Sequence, residues 1–415
     1  MKKLFFLTAI LGISLISNGQ NTNDGWIELI NGKDFTGWRA SENQGTWRVI
    51  DGMFEAHGKR SHLFYEGEHL GDGFKNFELE VQVKTFKLAN SGIYIHTAYQ
   101  ESGWPNNGIE IQVNNSHVGE GDYLELKKMA SLYGVRNVYK GFGADDRWLT
   151  LKARVESNHV QIWVDGVKTV DYIEPEQTPK GVKRLSKGTF CLQGHDVLSK
   201  MQYKSFKVRR LPDDAVSTLP APKMAAWKDS LVSYQARQIA FIDLNPKGSL
   251  DAKALAAYTY ATGINVALVK TPEKSAELVT AKGLPLFQGI QVNASNKNAA
   301  LKTADYKIGV STTLNTAREL LASGKIQVWS DKGKNLNMET APELLRMANQ
   351  NSVAIEIDNE AMHPSIEVLK MVKEHGIRIT FTGLIPESKM DKSGYVFQAL
   401  REVGFTYKDQ YIPQW

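Results

Sequence analysis

A single cysteine, Cys191, stands in 415 residues, which excludes a disulfide framework and any cysteine-based zinc site. An excess of charge is missing too. Fifty Lys+Arg against 45 Asp+Glu give +5, with no like-charge run long enough for a nucleic-acid arm, so no nucleic-acid partner is expected. Past the N-terminus, no apolar run approaches the roughly 20 residues of a membrane helix, so no membrane span is expected. Hydrophobic residues at 42% and charged ones at 23% exclude wholesale disorder. At roughly 100–200 residues per domain, this length implies two or three domains.

What is present begins with an address. Lys2 and Lys3 precede an uncharged apolar stretch over 4–16, and Ser17 and Gly19 are small residues placed for cleavage before Gln20. Residues 1–19 thus have the layout of a secretory signal peptide, too short for a span. Its removal takes two lysines and lowers +5 to +3. The mature protein is expected to be periplasmic or secreted.

The remainder falls into two halves with different periods. Over 24–211, short β-branched or aromatic segments alternate: FELEVQV (77–83), GIYIHT (92–97), GIEIQVN (108–114), WLTLKARV (148–155), HVQIWV (159–164), GTFCLQG (188–194) and YKSFKVR (203–209). Turn signals separate them, with Asp165-Gly166 a strong hairpin signal. A short helical turn is expected near 125–130. The pattern predicts a two-sheet antiparallel sandwich. A proline-bearing stretch, LPDDAVSTLPAPK, opens a linker over 212–235. From 236 to 408, seven apolar strands alternate with about six helices, and glycines 263, 283, 324, 376 and 404 fall where helix C-caps belong. Such alternation implies parallel pairing, and seven units favour a closed barrel over an open sheet.

Strand parity singles out candidate site residues. Residues two apart share a face, so Glu110, Gln112 and Asn114 oppose Ile109, Ile111 and Val113. The same parity places Tyr94 and His96 opposite Ile93 and Ile95, and Gln193 with His195 opposite Leu192. The apolar set must face the inter-sheet core, which leaves the polar sets outside. A merely solvated face would favour Lys, Glu and Thr; His, Tyr, Gln and one Glu suggest a carbohydrate groove. A retaining glycosidase needs two carboxylates about 5–5.5 Å apart. Four residues past Glu110 stands Asn114, so an ordinary two-carboxylate glycosidase is not expected.

WIELINGKDFTGW, NSGIYIHTAYQESGWPNNGIEIQVNN, SLYGV and GTFCLQGHD resemble, in order, the 3-keto-disaccharide (3-keto-glycoside) hydrolase family. The resemblance covers about 24–211 and implies a concanavalin-type, laminarinase-like jelly-roll sandwich. It also implies an exported enzyme, of a kind frequent in Bacteroidetes, acting on oligosaccharides or glycosides already oxidised at C3. A C3 ketone acidifies the C2 proton, so one base can remove it and expel the C1 substituent before water adds. Asn90, Ser91, His96, Glu110, Gln112, Tyr133, Gln193 and His195 match family motif positions; Arg60 and His62, in RSHLFY (60–65), match a subgroup. On this reading His96, Glu110 and His195 are the catalytic candidates, and Arg60, His62, Asn90, Tyr94, Gln112, Tyr133 and Gln193 bind substrate. Glu110 is open to three roles: base, orienting partner, or ligand to a divalent ion beside a histidine such as His195. No fixed-spacing metal signature is present. The competing reading is a carbohydrate-binding module without turnover.

In the second half, FIDLNPKG and IEIDNEAMHPSIEVLKMVKEHGIRITFTG resemble the polymerase-and-histidinol-phosphatase (PHP) superfamily, a seven-stranded β/α barrel with metals held by D-x-H-x-H on its first strand. Here that motif reads Asp243-Leu244-Asn245-Pro246-Lys247, without either histidine. A degenerate, non-catalytic barrel is the expectation.

Overall fold

The structure, a computed structural model, describes residues 24–121, 123–141, 143–176, 181–217, 239–248, 250–300, 304–384 and 394–413. The expected signal peptide, and the part of the linker from 218 to 235, lie outside these residues.

Alternation over the first half produces two antiparallel sheets. The back sheet has eight strands. Its centre is Phe77–Thr85, paired with Lys200–Arg210 on one side and Leu149–Glu156 on the other. The front sheet has five, in the order Trp38–Ala40, Ser61–Tyr65, Thr189–Gly194, Asn90–Thr97, Ile109–Asn114. Leu79, Val81 and Val83 from the back and Ile93, Ile95, Ile111 and Val113 from the front are fully buried in one cluster. Each such side chain contributes about 1.5–3 kcal/mol on burial. Asp165 and Gly166 both take positive φ, 46° and 81°, as a two-residue type I′ hairpin turn requires. The linker's first residues run as a strap along the sandwich: Asn76 Nδ2 donates to Pro212 O (2.8 Å) and Leu211 N to Asn76 O (3.0 Å).

Seven parallel strands of the second half, from Ile242–Asp243 to Ile379–Thr382, close into a barrel. Asp243 pairs with Phe381 at the seam. All five expected cap glycines have φ between 60° and 78°, the left-handed conformation that ends a helix. One expected α-helix differs: Pro272–Ala281 is 3₁₀. Ser275 and Thr280 return their hydroxyls to the carbonyls of Pro272 and Glu277 (2.8 and 2.6 Å), which competes with the α ladder. No helix among the described residues is long and apolar enough to cross a membrane.

Sandwich and barrel meet at the entry ends of the barrel strands. Tyr139, from the sandwich, is 1% exposed and packs with Ile242, Ala267, Phe287 and Tyr306 inside the barrel. Its backbone N–H donates to Asn265 Oδ1 (3.1 Å), and Asn265 Nδ2 donates to Asn137 O (2.9 Å). Lys140 pairs with Asp305 at 2.8 Å.

Candidate active site

The outer face of the front sheet holds a cavity of about 500 Å³, lined among others by Asn90, Tyr94, Glu110, Gln112, Tyr133, Gln193 and His195. That volume suits a small-molecule ligand. Register explains the convergence: Tyr94 lies directly across from Glu110, Gly92 from Gln112, and Cys191 from Tyr94. Gly92 is required there, because a Cβ would stand 2.2 Å from Glu110 Oε1. Its bare backbone makes the cradle for the carboxylate.

Glu110 is the centre of a short network. Tyr94 OH donates to Oε2 (3.0 Å), and Gln193 Nε2 donates to Oε1 and to the Tyr94 hydroxyl, both at 3.2 Å. Burial pushes the Glu110 carboxyl up to about 8, against the pull of the Tyr94 hydrogen bond. Gln112 Nε2 donates to Asn90 Oδ1 (3.0 Å). Gln112 Oε1 and Gln193 Oε1 are buried without a partner among the described residues. Unpaired buried acceptors at a cavity are groups a ligand hydroxyl can satisfy.

His195 lies at the rim, its ring 5.0 Å from that of Trp104. Asp196 Oδ2 holds its Nδ1 at 2.6 Å. Burial pushes Asp196 up, yet the His195 hydrogen bond and charge prevail and keep it at about 2. Nε2 is then the nitrogen left for a ligand. Trp104 is 44% exposed and overhangs the cavity as an aromatic wall.

Four expected residues stand elsewhere, and one correction is substantial. His96 does not share the face of Glu110. Its φ is +57°, and the pairing with Thr189–Gly194 shifts register between Thr189 and Cys191. A bulge of this kind re-aims a side chain. The ring turns edge-on to Phe77 at 5.5 Å, with Nε2 2.8 Å from Lys75 O and Nδ1 accepting from Ser186 N–H at 3.1 Å. Burial holds it neutral, its pKa pushed down to about 4. His96 is a structural residue here. Ser91 likewise faces inward, between Gln193 O (2.6 Å) and Tyr203 OH (2.8 Å).

Arg60 and His62 stand behind the cavity wall. The Arg60 guanidinium pairs with Glu42 at 2.8 Å and lies over the Trp104 ring. His62 is fully buried against Trp104 and Tyr94, and burial lowers its pKa to about 4.

Sequence parity missed a second carboxylate. Glu125 lines the same cavity and accepts from Tyr123 OH and Tyr133 OH. Lys127 Nζ pairs with it at 3.3 Å, and the two side chains are 2% and 0% exposed. Tyr123, Glu125 and Lys127 alternate as on a strand, which is the signal the expectation of a helical turn at 125–130 overlooked. Glu125 is thus paired with a buried cation; its charge pushes Glu110 up while that of Lys127 pulls it down.

Both Glu110 oxygens accept from protein donors, and His195 Nδ1 is held by Asp196, which leaves His195 Nε2 open. Among the described residues no group of three or more His, Cys, Asp or Glu is placed to hold a metal.

The chain is a β-sandwich with a cavity on the outer face of its front sheet, joined to a closed parallel barrel. Residues 25–209 match the family model of the 3-keto-alpha-glucoside-1,2-lyase-like domain. A 3-keto-disaccharide hydrolase of Bacteroides thetaiotaomicron is 37% identical over 79 residues, covering 17% of this chain and 27% of that protein. The chain therefore spans about a quarter of the curated relative it matches. Among solved structures, a Parabacteroides distasonis protein provisionally assigned to the glycosyl hydrolases has a TM-score of 0.39 and 22% identity, covering 45% of this chain and 94% of that one. The carbohydrate-binding module CBM66 of Bacillus subtilis has a TM-score of 0.30 and 16% identity, covering 42% and 96%.

Proposed function

We propose that the protein cleaves the glycosidic bond of 3-keto-glucosides by elimination at C2, followed by addition of water. The observation that carries this reading is Glu110: one buried carboxylate, its pKa raised to about 8, on the floor of a sugar-sized cavity. A base whose pKa lies near the working pH is suited to removing a proton next to a ketone. Glu110 takes the C2 proton, and the electron pair passes into the C2–C3 bond and onto the C3 oxygen. The Gln112 amide, which keeps one N–H beyond its bond to Asn90, is a donor for that developing charge. Collapse of the enediolate forms the C1–C2 double bond and breaks the C1–O bond. His195 Nε2, at the rim beside Trp104, supplies the leaving group's proton. Water adding at C1 then gives net hydrolysis; release before addition gives the lyase outcome. Glu125, paired with Lys127, acts as neither nucleophile nor acid on this path.

The test is incubation of purified protein with a 3-keto-disaccharide and with its unoxidised parent, in deuterated buffer. Only the ketone is expected to be cleaved, giving either the unhydrated C1–C2 enone or a hydrated product with deuterium at C2. Equal cleavage of both sugars, or a hydrated product without C2 deuterium, would defeat the mechanism. Tight binding of both sugars with no turnover would instead identify a glycan-binding module.

The same reading makes this an exported protein, because the N-terminal residues have a signal peptide's layout. N-terminal sequencing of mature material is expected to begin at Gln20; retention of Met1 would count against it. For the barrel, a degenerate PHP-like role is consistent with the residues at its first strand. Lys247 bonds Asp358 (3.0 Å) and Glu360 (3.1 Å), a fixed cation among carboxylates.

A further inference from the structure

The cleft between the two halves has a chemistry of its own. It encloses about 480 Å³ and is lined by Asn115, Leu124, Leu126, Lys128 and Tyr139 of the sandwich and by Arg378, Lys408 and Ile412 of the barrel, among others. Lys128 is 5% exposed, and the His117 carbonyl at 2.8 Å is its one hydrogen-bond acceptor among the described residues. An ammonium has three donors, so two are left without a protein partner. Leaving a buried charge this poorly paired is costly unless something else meets it. Burial lowers the amine to about 8, although Glu125 and Asp145 pull it back up. Across the cleft, Arg378 is exposed and rests over the Tyr411 ring, 5.3 Å from its centroid. Cations thus come from both domains, and the Glu125 and Asp145 carboxylates of the sandwich line the same cleft. Between the cations lie apolar walls of Leu124, Leu126 and Ile412 and an unpartnered amide oxygen, Asn115 Oδ1.

We propose that this cleft is a second ligand site and takes an anionic sugar, with its carboxylate or phosphate held between Lys128 and Arg378. The charged end satisfies the unused lysine donors, a hydroxyl meets Asn115 Oδ1, and the C–H faces lie on the aliphatic walls. This assignment does not depend on the reaction proposed above, since Glu110 stands in the other cavity.

Titration calorimetry on the full chain tests it, with D-glucuronate, glucose 6-phosphate and D-glucose as probes. At least one anion is expected to bind with a Kd below about 1 mM, and glucose not to bind. Lys128→Met and Arg378→Ala should each weaken that binding about tenfold or more, the scale of a lost charge-assisted hydrogen bond. Glu110→Gln should leave it unchanged. A response to the carboxylate alone or to the phosphate alone identifies which anionic group fits. The proposal falls if neither anion binds, if glucose binds as well, or if the cleft variants bind like wild type. It falls also if Glu110→Gln abolishes binding, which would place the anion in the active cavity. Should Lys128→Met fail to fold, Arg378→Ala decides alone, because its side chain is exposed.

Discussion

Glu110→Gln is expected to lower turnover of a 3-keto-glycoside by about 10² or more, the usual scale for a general base, while raising stability in alkaline solution. The two effects have one cause. Burial lifts the carboxyl from 4.5 to about 8 in the folded chain, so between those values the native state holds a proton the unfolded chain has lost. Stability from this group is fully present below 4.5 and is lost as pH rises through about 8. A glutamine cannot titrate, so the variant lacks that loss. Part of the residue faces the cavity and its water, which discounts the full shift to on the order of 2 kcal/mol at pH 9. The amide is also accommodated locally. Gln193 Oε1 has no partner, so a flip of the Gln193 amide would let it accept from the new N–H. Urea denaturation at pH 5 and pH 9 measures the stability, and kcat/KM of wild type should rise with pH towards about 8. A variant that keeps turnover within a factor of a few would remove Glu110 from the base role. His96→Ala serves as the contrast. It should leave turnover within a few-fold but destabilise by about 2–3 kcal/mol, having orphaned Ser186 N–H and Lys75 C=O and emptied space beside Phe77.

That contrast also measures what could be read without coordinates. Period-two alternation was enough to bring Tyr94, Glu110, Gln112 and Gln193 to one face, because these strands pair in unbroken register around Ile93 and Ile111. It misplaced His96, since a single residue at φ +57° reverses parity and nothing in GIYIHT announces the bulge. The site's other wall was hidden for a different reason. Tyr123, Glu125 and Lys127 do alternate, but the only strand there is Tyr123–Leu124. Their position comes from hydrogen bonds such as Met129 N to Asn114 O (2.7 Å) and Tyr133 N to Glu110 O (2.9 Å). Those bonds lay the segment along the sheet edge, and no local pattern encodes that pairing. The barrel was more legible, because most of its strand–helix units carry their own period and a cap glycine. What joins the two halves, Tyr139 entering a barrel built a hundred residues later, is a long-range fact that no window of sequence contains.

Tyr139→Ala is accordingly expected to cost about 3–5 kcal/mol, the range for removing a fully buried aromatic whose site cannot collapse. Neighbouring strands make collapse difficult: Ile242, Ala267, Phe287 and Tyr306 surround the ring from a closed barrel wall. The phenol is also tied at both ends of its reach, accepting from Asn137 Nδ2 (3.1 Å) and donating to Ile239 O (3.4 Å). Because the ring belongs to one half and its pocket to the other, the loss falls on their coupling more than on either core. Calorimetry should therefore show two separated unfolding transitions in the variant where wild type shows a joined one. The barrel's transition should move down further, since the sandwich keeps its own inter-sheet core without the tyrosine. A smaller effect should reach the active cavity. Tyr139 ends the segment that carries Glu125, Lys127 and Tyr133, and Lys128 N still bonds Val138 O at 2.8 Å, so the wall is held at its sheet end as well. Turnover should then fall by less than about tenfold. A variant that unfolds in one transition at the wild-type temperature would show that Tyr139 does not couple the halves.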